Sequence, residues 1–193
     1  MGNETSSNMK EPTMGSLHLY IGPMFAGKSS KLIECYEDGI ADDQHVVVLT
    51  HSLENRYSKD QVSTHDKKHI ECLKYNSIEQ FINEQTIILN SCNIILIDEA
   101  QFFPDLIKSI ELVEKFGKKV GIFGLDGDFK RQKFGNILDL IPFCDSIEKL
   151  YARCNNCNND AIFSHRIIQE NEQIVIGSND IYIPLCRKCY LEK

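Results

Sequence analysis

No apolar run in the chain approaches the ~20 residues needed to cross a bilayer as a helix, so no membrane span is expected. A basic surplus is missing as well: 28 Asp and Glu against 21 Lys and Arg leave a net charge of -7. That argues against a dedicated nucleic-acid binder, whose footprint is a basic face. Met1 to Ser16 lacks the apolar core of a signal peptide. It is polar and is expected to be a disordered lead-in, the alternative being an arm packed on a partner subunit. A cytoplasmic location is therefore expected, where thiols stay reduced. No internal repeat is visible. What is present is 193 residues, 42% hydrophobic and 25% charged, which suits one compact core with a small appendage.

Short apolar segments alternate with amphipathic ones. Leu17 to Ile21 reads as a strand, and the stretch from Gly27 through Leu32, Ile33 and Tyr36 as a helix ending near Gly39. Val46 to Leu49 is a buried strand; the polar loop His51 to Lys68 is too long to be a simple connection. A weaker strand at His69 to Leu73 precedes a helix capped by Ser77, with Gln80 three residues on. Ile94 to Ile97 is the most apolar strand and runs into Asp98 and Glu99. Pro104 opens a helix reaching Phe116 and stopped by Gly117, and Val120 to Leu125 is a further strand feeding the loop Asp126 to Gly135. This alternation predicts an α/β fold, a parallel sheet with helices on both faces. The texture changes at Tyr151. Beyond it, short strands at Ile174 to Ile176 and Ile181 to Ile183 flank a turn, Gly177 to Asp180. The expected division is a lead-in (1–16), an α/β domain (17–150) and a small C-terminal domain (151–193).

Gly22-Pro23-Met24-Phe25-Ala26-Gly27-Lys28-Ser29 joins a strand to a helix. Small residues let successive backbone N–H groups turn toward an anion. Lys28 adds charge at the outer phosphates, and Ser29 offers a hydroxyl to magnesium at the positive end of the helix. A plain glycine-rich turn would have no need of Lys28 and Ser29. This is a phosphate-binding loop, and the fold expected with it is that of a RecA-like P-loop NTPase. Asp98, ending an apolar strand, is the expected second magnesium ligand; elsewhere it could be a helix N-cap. Glu99 beside it can take a proton from a hydroxyl acceptor or from water, and spacing alone leaves both open.

Of eight cysteines, four are dispersed. The others form Cys154-x2-Cys157 and Cys186-x2-Cys189, 28 residues apart. Four thiolates suit a closed tetrahedral zinc site, with a β-hairpin between the knuckles and two ligands from each hairpin turn; two disulfides are the alternative. From 151 to 193 five Lys and Arg face five Asp and Glu, so a nucleic-acid-binding ribbon is not implied.

Together these features resemble the thymidine kinases of the cytosolic, zinc-containing type. The resemblance runs from about Leu17 to Tyr190 through GPMFAGKS (22–29), NRYS (55–58), THD (64–66), IDEAQFFPD (97–105), LDGDF (125–129), FGNILDLIP (134–142) and the four cysteines. It implies transfer of the γ-phosphoryl of ATP to the 5'-hydroxyl of thymidine or deoxyuridine, in a salvage route to dTTP. It implies Glu99 as general base and Arg56 near the reacting phosphate, with Glu54, Asn55, Ala100 and Gln101 joining the nucleotide site. Thymine is expected on the backbone of Gln173, Ile174, Val175, Ile176 and Gly177. Phe129 and Tyr182 are expected at base and sugar, and Met24, Leu125 and Ser164 around the methyl. A homotetramer, inhibited by dTTP, follows from the same resemblance. Ser30, Ala100, Glu54, His165 and the Gly177-Ser178 turn depart from the family pattern without removing a group the chemistry requires.

Overall fold

The computed structural model describes residues 14–53, 61–63, 69–175 and 177–193, with 61–63 and 69 described as backbone only. In chain order the strands are β1 (Ser16–Ile21), β2 (Val46–His51), β3 (Gln61–Ser63), β4 (His69–Glu71), β5 (Leu73–Tyr75), β6 (Ile94–Asp98), β7 (Lys119–Gly124), β8 (Ser146–Lys149), β9 (Ala152–Arg153), β10 (Asp160–Ala161), β11 (Phe163–Arg166) and β12 (Tyr182–Leu185). The α-helices are α1 (Lys28–Ala41), α2 (Ile78–Glu84), α3 (Thr86–Ser91), α4 (Ser109–Glu114) and α5 (Arg187–Leu191).

Six strands form one sheet in the order β5-β2-β6-β7-β1-β8, every neighbouring pair parallel. The expected α/β fold is present. The sheet inserts β7 between β1, which carries the phosphate loop, and β6, which ends in Asp98. Both segments therefore emerge at the carboxyl edge of the sheet, where such folds bind ligands. One face packs α2 (which contributes Phe81), α3 and α4 over Leu19, Leu49 and Ile97, with Phe103 among them; the other packs α1 over Val48, Leu96 and Phe123. Phe81, Phe103 and Phe123 are fully buried, and each such side chain contributes about 1.5–3 kcal/mol. No helix among the described residues is long and apolar enough to cross a membrane.

Several boundaries differ from expectation for identifiable reasons. α1 ends at Ala41, two residues past Gly39. A Cβ on Gly39 would lie 2.7 Å from Val46 Cγ2 and 2.9 Å from Ile94 Cδ1, so the glycine marks closest approach to the sheet rather than a stop. The segment after Pro104 starts as a 3-10 turn, Leu106–Lys108, before α4. Gly117, at φ 64, follows it as expected. Ser77 caps α2 by accepting from Gln80 N at 3.1 Å. The carboxylate of Asp105 accepts from Ile78 N and Glu79 N at 2.9 and 2.8 Å, a long-range cap that local sequence does not announce. Ile174 and Val175 belong to no strand; their neighbourhood is organised by side chains instead.

β9 and β10 form one short hairpin and β11 and β12 another antiparallel pair. Their small core, Ala152, Cys154, Ala161, Leu185, Cys186 and Cys189, includes Ala26 and has Phe25 packed against it, both from the phosphate loop.

Candidate active site

The phosphate loop is shaped by its own backbone. Gly22 cannot carry a side chain, because a Cβ would sit 2.4 Å from the Leu150 carbonyl oxygen. Gly27 adopts φ 79 as the N-cap of α1, and Phe25 also has positive φ, at 64. No side chain caps α1 and no acidic residue sits in its first turn, so its leading amides suit an anion. The Lys28 ammonium donates to Gly22 O at 3.2 Å and Pro23 O at 2.6 Å, folding back over the loop. Met24 N donates to Ser164 Oγ at 2.9 Å, which ties the loop to β11.

Glu99 follows β6 in the left-handed region, φ 48 and ψ 41. A non-glycine residue there is strained by about 1–3 kcal/mol, which surrounding structure must hold in place. Gln101 does part of the holding. Its Nε2 donates to Glu99 Oε2 at 2.5 Å, and its Oε1 accepts from Leu125 N at 3.0 Å. Asp98 is buried just before Glu99, paired in register with Thr50 of β2.

A cavity of about 450 Å³ joins these parts to the C-terminal segment. Met24, Phe25, Ala26, Gly27, Lys28 and Ser29 line it, as do Glu99 and Gln101. Leu125, Phe129, Ser164, Gln173, Ile174, Val175, Gly177 and Tyr182 line it too. Gly22, Pro23, Asp98 and Ala100 are buried outside the lining. Glu54, Asn55, Arg56 and Ile176 lie outside the described residues, as do the THD residues, Thr64 to Asp66, and most of the lead-in. The lining also includes Ser30, Leu53, Phe102, Gly127, Asp128, Phe134 and Ser178, to which sequence reasoning assigned no function. Phe102 and Phe134 meet edge to face at 5.6 Å.

The loop after β7 is cross-braced to the C-terminal segment. Tyr190 donates its hydroxyl to Phe129 O at 2.7 Å, and Arg131 lies over the Tyr190 ring at 4.7 Å. Gln173 Nε2 donates to Asp128 Oδ2 at 2.8 Å. Gly135 closes this loop at φ +60, where a Cβ would fall 2.2 Å from the Gln101 carbonyl oxygen. Gly135→Ala is therefore expected to cost about 1–3 kcal/mol in urea unfolding, from left-handed strain alone, and to lower turnover by moving Gln101 off Glu99. Unchanged turnover in a destabilised variant would separate Gln101 from the chemistry.

The four knuckle cysteines converge, their sulfurs all within 4.8 Å of one another. The Cys157 and Cys186 sulfurs are 3.6 Å apart, close to the ~3.8 Å edge of a tetrahedron with ~2.3 Å zinc–sulfur bonds. The Cys154 thiol is pushed down: burial opposes the thiolate, but backbone amides of Cys186, Asn156 and Cys157 outweigh it. The Cys189 thiol is pushed up, first by its hydrogen bond to Cys157 and then by burial. A cluster that favours the thiolate at Cys154 and resists it at Cys189 fits a divalent cation, which relieves that repulsion. Cys154 and Cys157 occupy the β9–β10 turn as expected. The second pair does not occupy a hairpin turn: Cys186 follows β12 and caps α5, its sulfur accepting from Cys189 N at 3.5 Å.

The thymidine kinase family model matches residues 15–190. The chain belongs to the thymidine kinase family. It is 39% identical over 178 residues to a thymidine kinase of Vaccinia virus (strain Western Reserve), covering 92% of this chain and 98% of that one. It is 38% identical over 187 residues to thymidine kinase a of Arabidopsis thaliana, covering 96% of this chain and 79% of that one. A Fowlpox virus thymidine kinase is 35% identical over 179 residues. Membership makes the chain a kinase, a phosphotransferase that uses a nucleotide, and its cysteine cluster is a possible zinc site.

Proposed function

We propose that the chain transfers the γ-phosphoryl of ATP to the 5'-hydroxyl of thymidine, and of deoxyuridine, giving the nucleoside monophosphate and ADP. The observation that carries this is one cavity lined by Lys28, Ser29 and Glu99 together with Phe129, Gln173, Ile174, Val175 and Gly177. Family membership supports the thymidine reading.

In this reading Lys28 and the first amides of α1 bind the outer phosphates, with Arg56 near the reacting one. Ser29 and Asp98 would hold magnesium, which supplies charge neutralisation at the phosphates when bound; hydroxyl and carboxylate oxygens suit that hard cation. Glu99 accepts the proton of the 5'-hydroxyl as its oxygen bonds the γ-phosphorus and the bond to the β,γ-bridging oxygen breaks. Gln101 keeps the carboxylate aimed. Glu54, Asn55, Ala100 and Gln101 complete the nucleotide site. Phe129 and Tyr182 contact base and sugar, and backbone groups of Gln173 to Gly177 read the imide edge of thymine. Met24, Leu125 and Ser164 surround the methyl.

The same reading makes 17–150 the ATP-binding domain and 151–193 a zinc-binding lasso, with zinc on Cys154, Cys157, Cys186 and Cys189. A cytoplasmic homotetramer in thymidine salvage, inhibited by dTTP, completes the proposal. The outer edge of β8 supports assembly, since Ile147 is exposed there with Phe143 and Tyr151 close by in the chain. The test is a deoxynucleoside panel with ATP and magnesium. Thymidine and deoxyuridine are expected to give monophosphates and purine deoxynucleosides none. No product, with ATP hydrolysis stimulated by polynucleotide, would overturn the reading.

A further inference from the structure

Residues 167–175 and 177–181 connect β11 to β12 without forming a strand, and several of their carbonyls converge on one side chain. Arg166, only 5% exposed, donates through Nη1 to Glu170 O at 2.9 Å and Glu172 O at 2.5 Å. Through Nη2 it donates to Gln173 O at 3.0 Å and to the Tyr182 hydroxyl at 2.7 Å. That hydroxyl donates onward to Val175 O at 2.9 Å. The guanidinium carbon lies 3.7 Å from the Phe129 ring centre.

The four acceptors are three carbonyls and a phenol; none is a carboxylate. A buried cation without a counter-anion among its partners is unfavourable unless dipoles and ring faces compensate. These do so only while the connection keeps this shape and Phe129 keeps its plane. Charge and loop conformation are thus coupled through one residue. Gln173 is held from both sides, its carbonyl by Arg166 and its side chain by Asp128, whose Oδ1 accepts from Lys130 N and Gln132 N at 2.8 Å each.

We propose that Arg166 is a positioning residue for the nucleoside pocket, fixing the carbonyls of the 170–175 connection and the plane of Phe129 before substrate arrives. This rests on the thymidine reading given above. Backbone groups recognise a base edge well only when their directions are set in advance; otherwise binding must also order the loop. Lysine is no substitute: an ammonium has three donors and no plane to stack, whereas the guanidinium fork serves four acceptors while lying against a ring.

The experiment uses the full-length zinc-loaded chain with Arg166→Lys and Arg166→Met. The thymidine KM is expected to rise about tenfold or more, with the ATP KM held within about twofold and zinc content unchanged, because only the loop is loosened. Amide hydrogen exchange of the 170–178 connection is expected to speed up while β6 stays protected. A thymidine KM within about twofold of the parent, or full rescue by lysine, would overturn the proposal. Should Arg166→Met not fold, Arg166→Lys carries the same KM comparison. The exchange measurement needs no substrate: slow exchange in Arg166→Lys refutes the loop-fixing claim whatever the activity. Failure of the unsubstituted chain to phosphorylate thymidine instead removes the functional reading.

Discussion

Cys154→Ser is expected to release the bound metal and to cut thymidine kcat/KM by at least ~10²-fold, because a ~1 Å displacement of positioning groups has that effect. The route is structural. Cys154 lies in the small core that contains Ala26 of the phosphate loop and Leu185 of β12. Tyr190, next to Cys189, holds Phe129 through its hydroxyl bond at 2.7 Å. Ser164 on β11 holds Met24 N at 2.9 Å. Loosening the cluster therefore reaches Met24 and Phe129, both of which line the cavity. Apparent binding energies for structural zinc of about 10–16 kcal/mol in small domains exceed what the handful of buried residues here can supply by burial. Metal content by elemental analysis, with thymidine and ATP KM on the same sample, checks this. A variant that keeps its metal and its activity would show that the cluster does not hold the pocket.

Glu99→Gln is expected to reduce turnover by ~10²–10⁴-fold while leaving ATP affinity within about twofold. The replacement is close in size, and an amide oxygen can still accept from Gln101 Nε2, as Glu99 Oε2 does at 2.5 Å. Position is conserved and basicity is lost, so the change falls on kcat. Single-turnover phosphoryl transfer, measured beside ATP binding by calorimetry, separates the two. Turnover near the parent's would remove Glu99 as the base. A parallel loss of ATP binding would indicate that the carboxylate acts on the nucleotide site instead.

Much of this arrangement was legible in the residues, unevenly so. The phosphate loop and the apolar strand ending in Asp98 were visible because each is local: a run of small residues, then a β-branched run with a carboxylate at its end. The cysteine knuckles were visible by spacing, although that spacing could not tell a hairpin turn from the helix cap that Cys186 makes. The expected strand at Ile174 to Ile176 failed where it can be checked, because apolar composition suggests pairing while the carbonyls of Gln173 and Val175 are taken by Arg166 and Tyr182. Gly39 placed the end of α1 to within two residues, although the glycine is there for close packing, which the sheet beneath α1 requires. Asp105 capping α2, Asp128 holding Gln173 and Arg166 collecting carbonyls are contacts between distant segments. A charged residue on a loop has no periodicity to betray such a partner.

On the proposed reading, one cavity brings the phosphate donor and a nucleoside acceptor together at Glu99. The most direct test of that reading follows the label of γ-labelled ATP in the presence of magnesium and thymidine. The label is expected in thymidine monophosphate, one equivalent for each ADP formed, and omission of thymidine is expected to suppress ADP production. Label released as inorganic phosphate at the same rate with or without thymidine would contradict it.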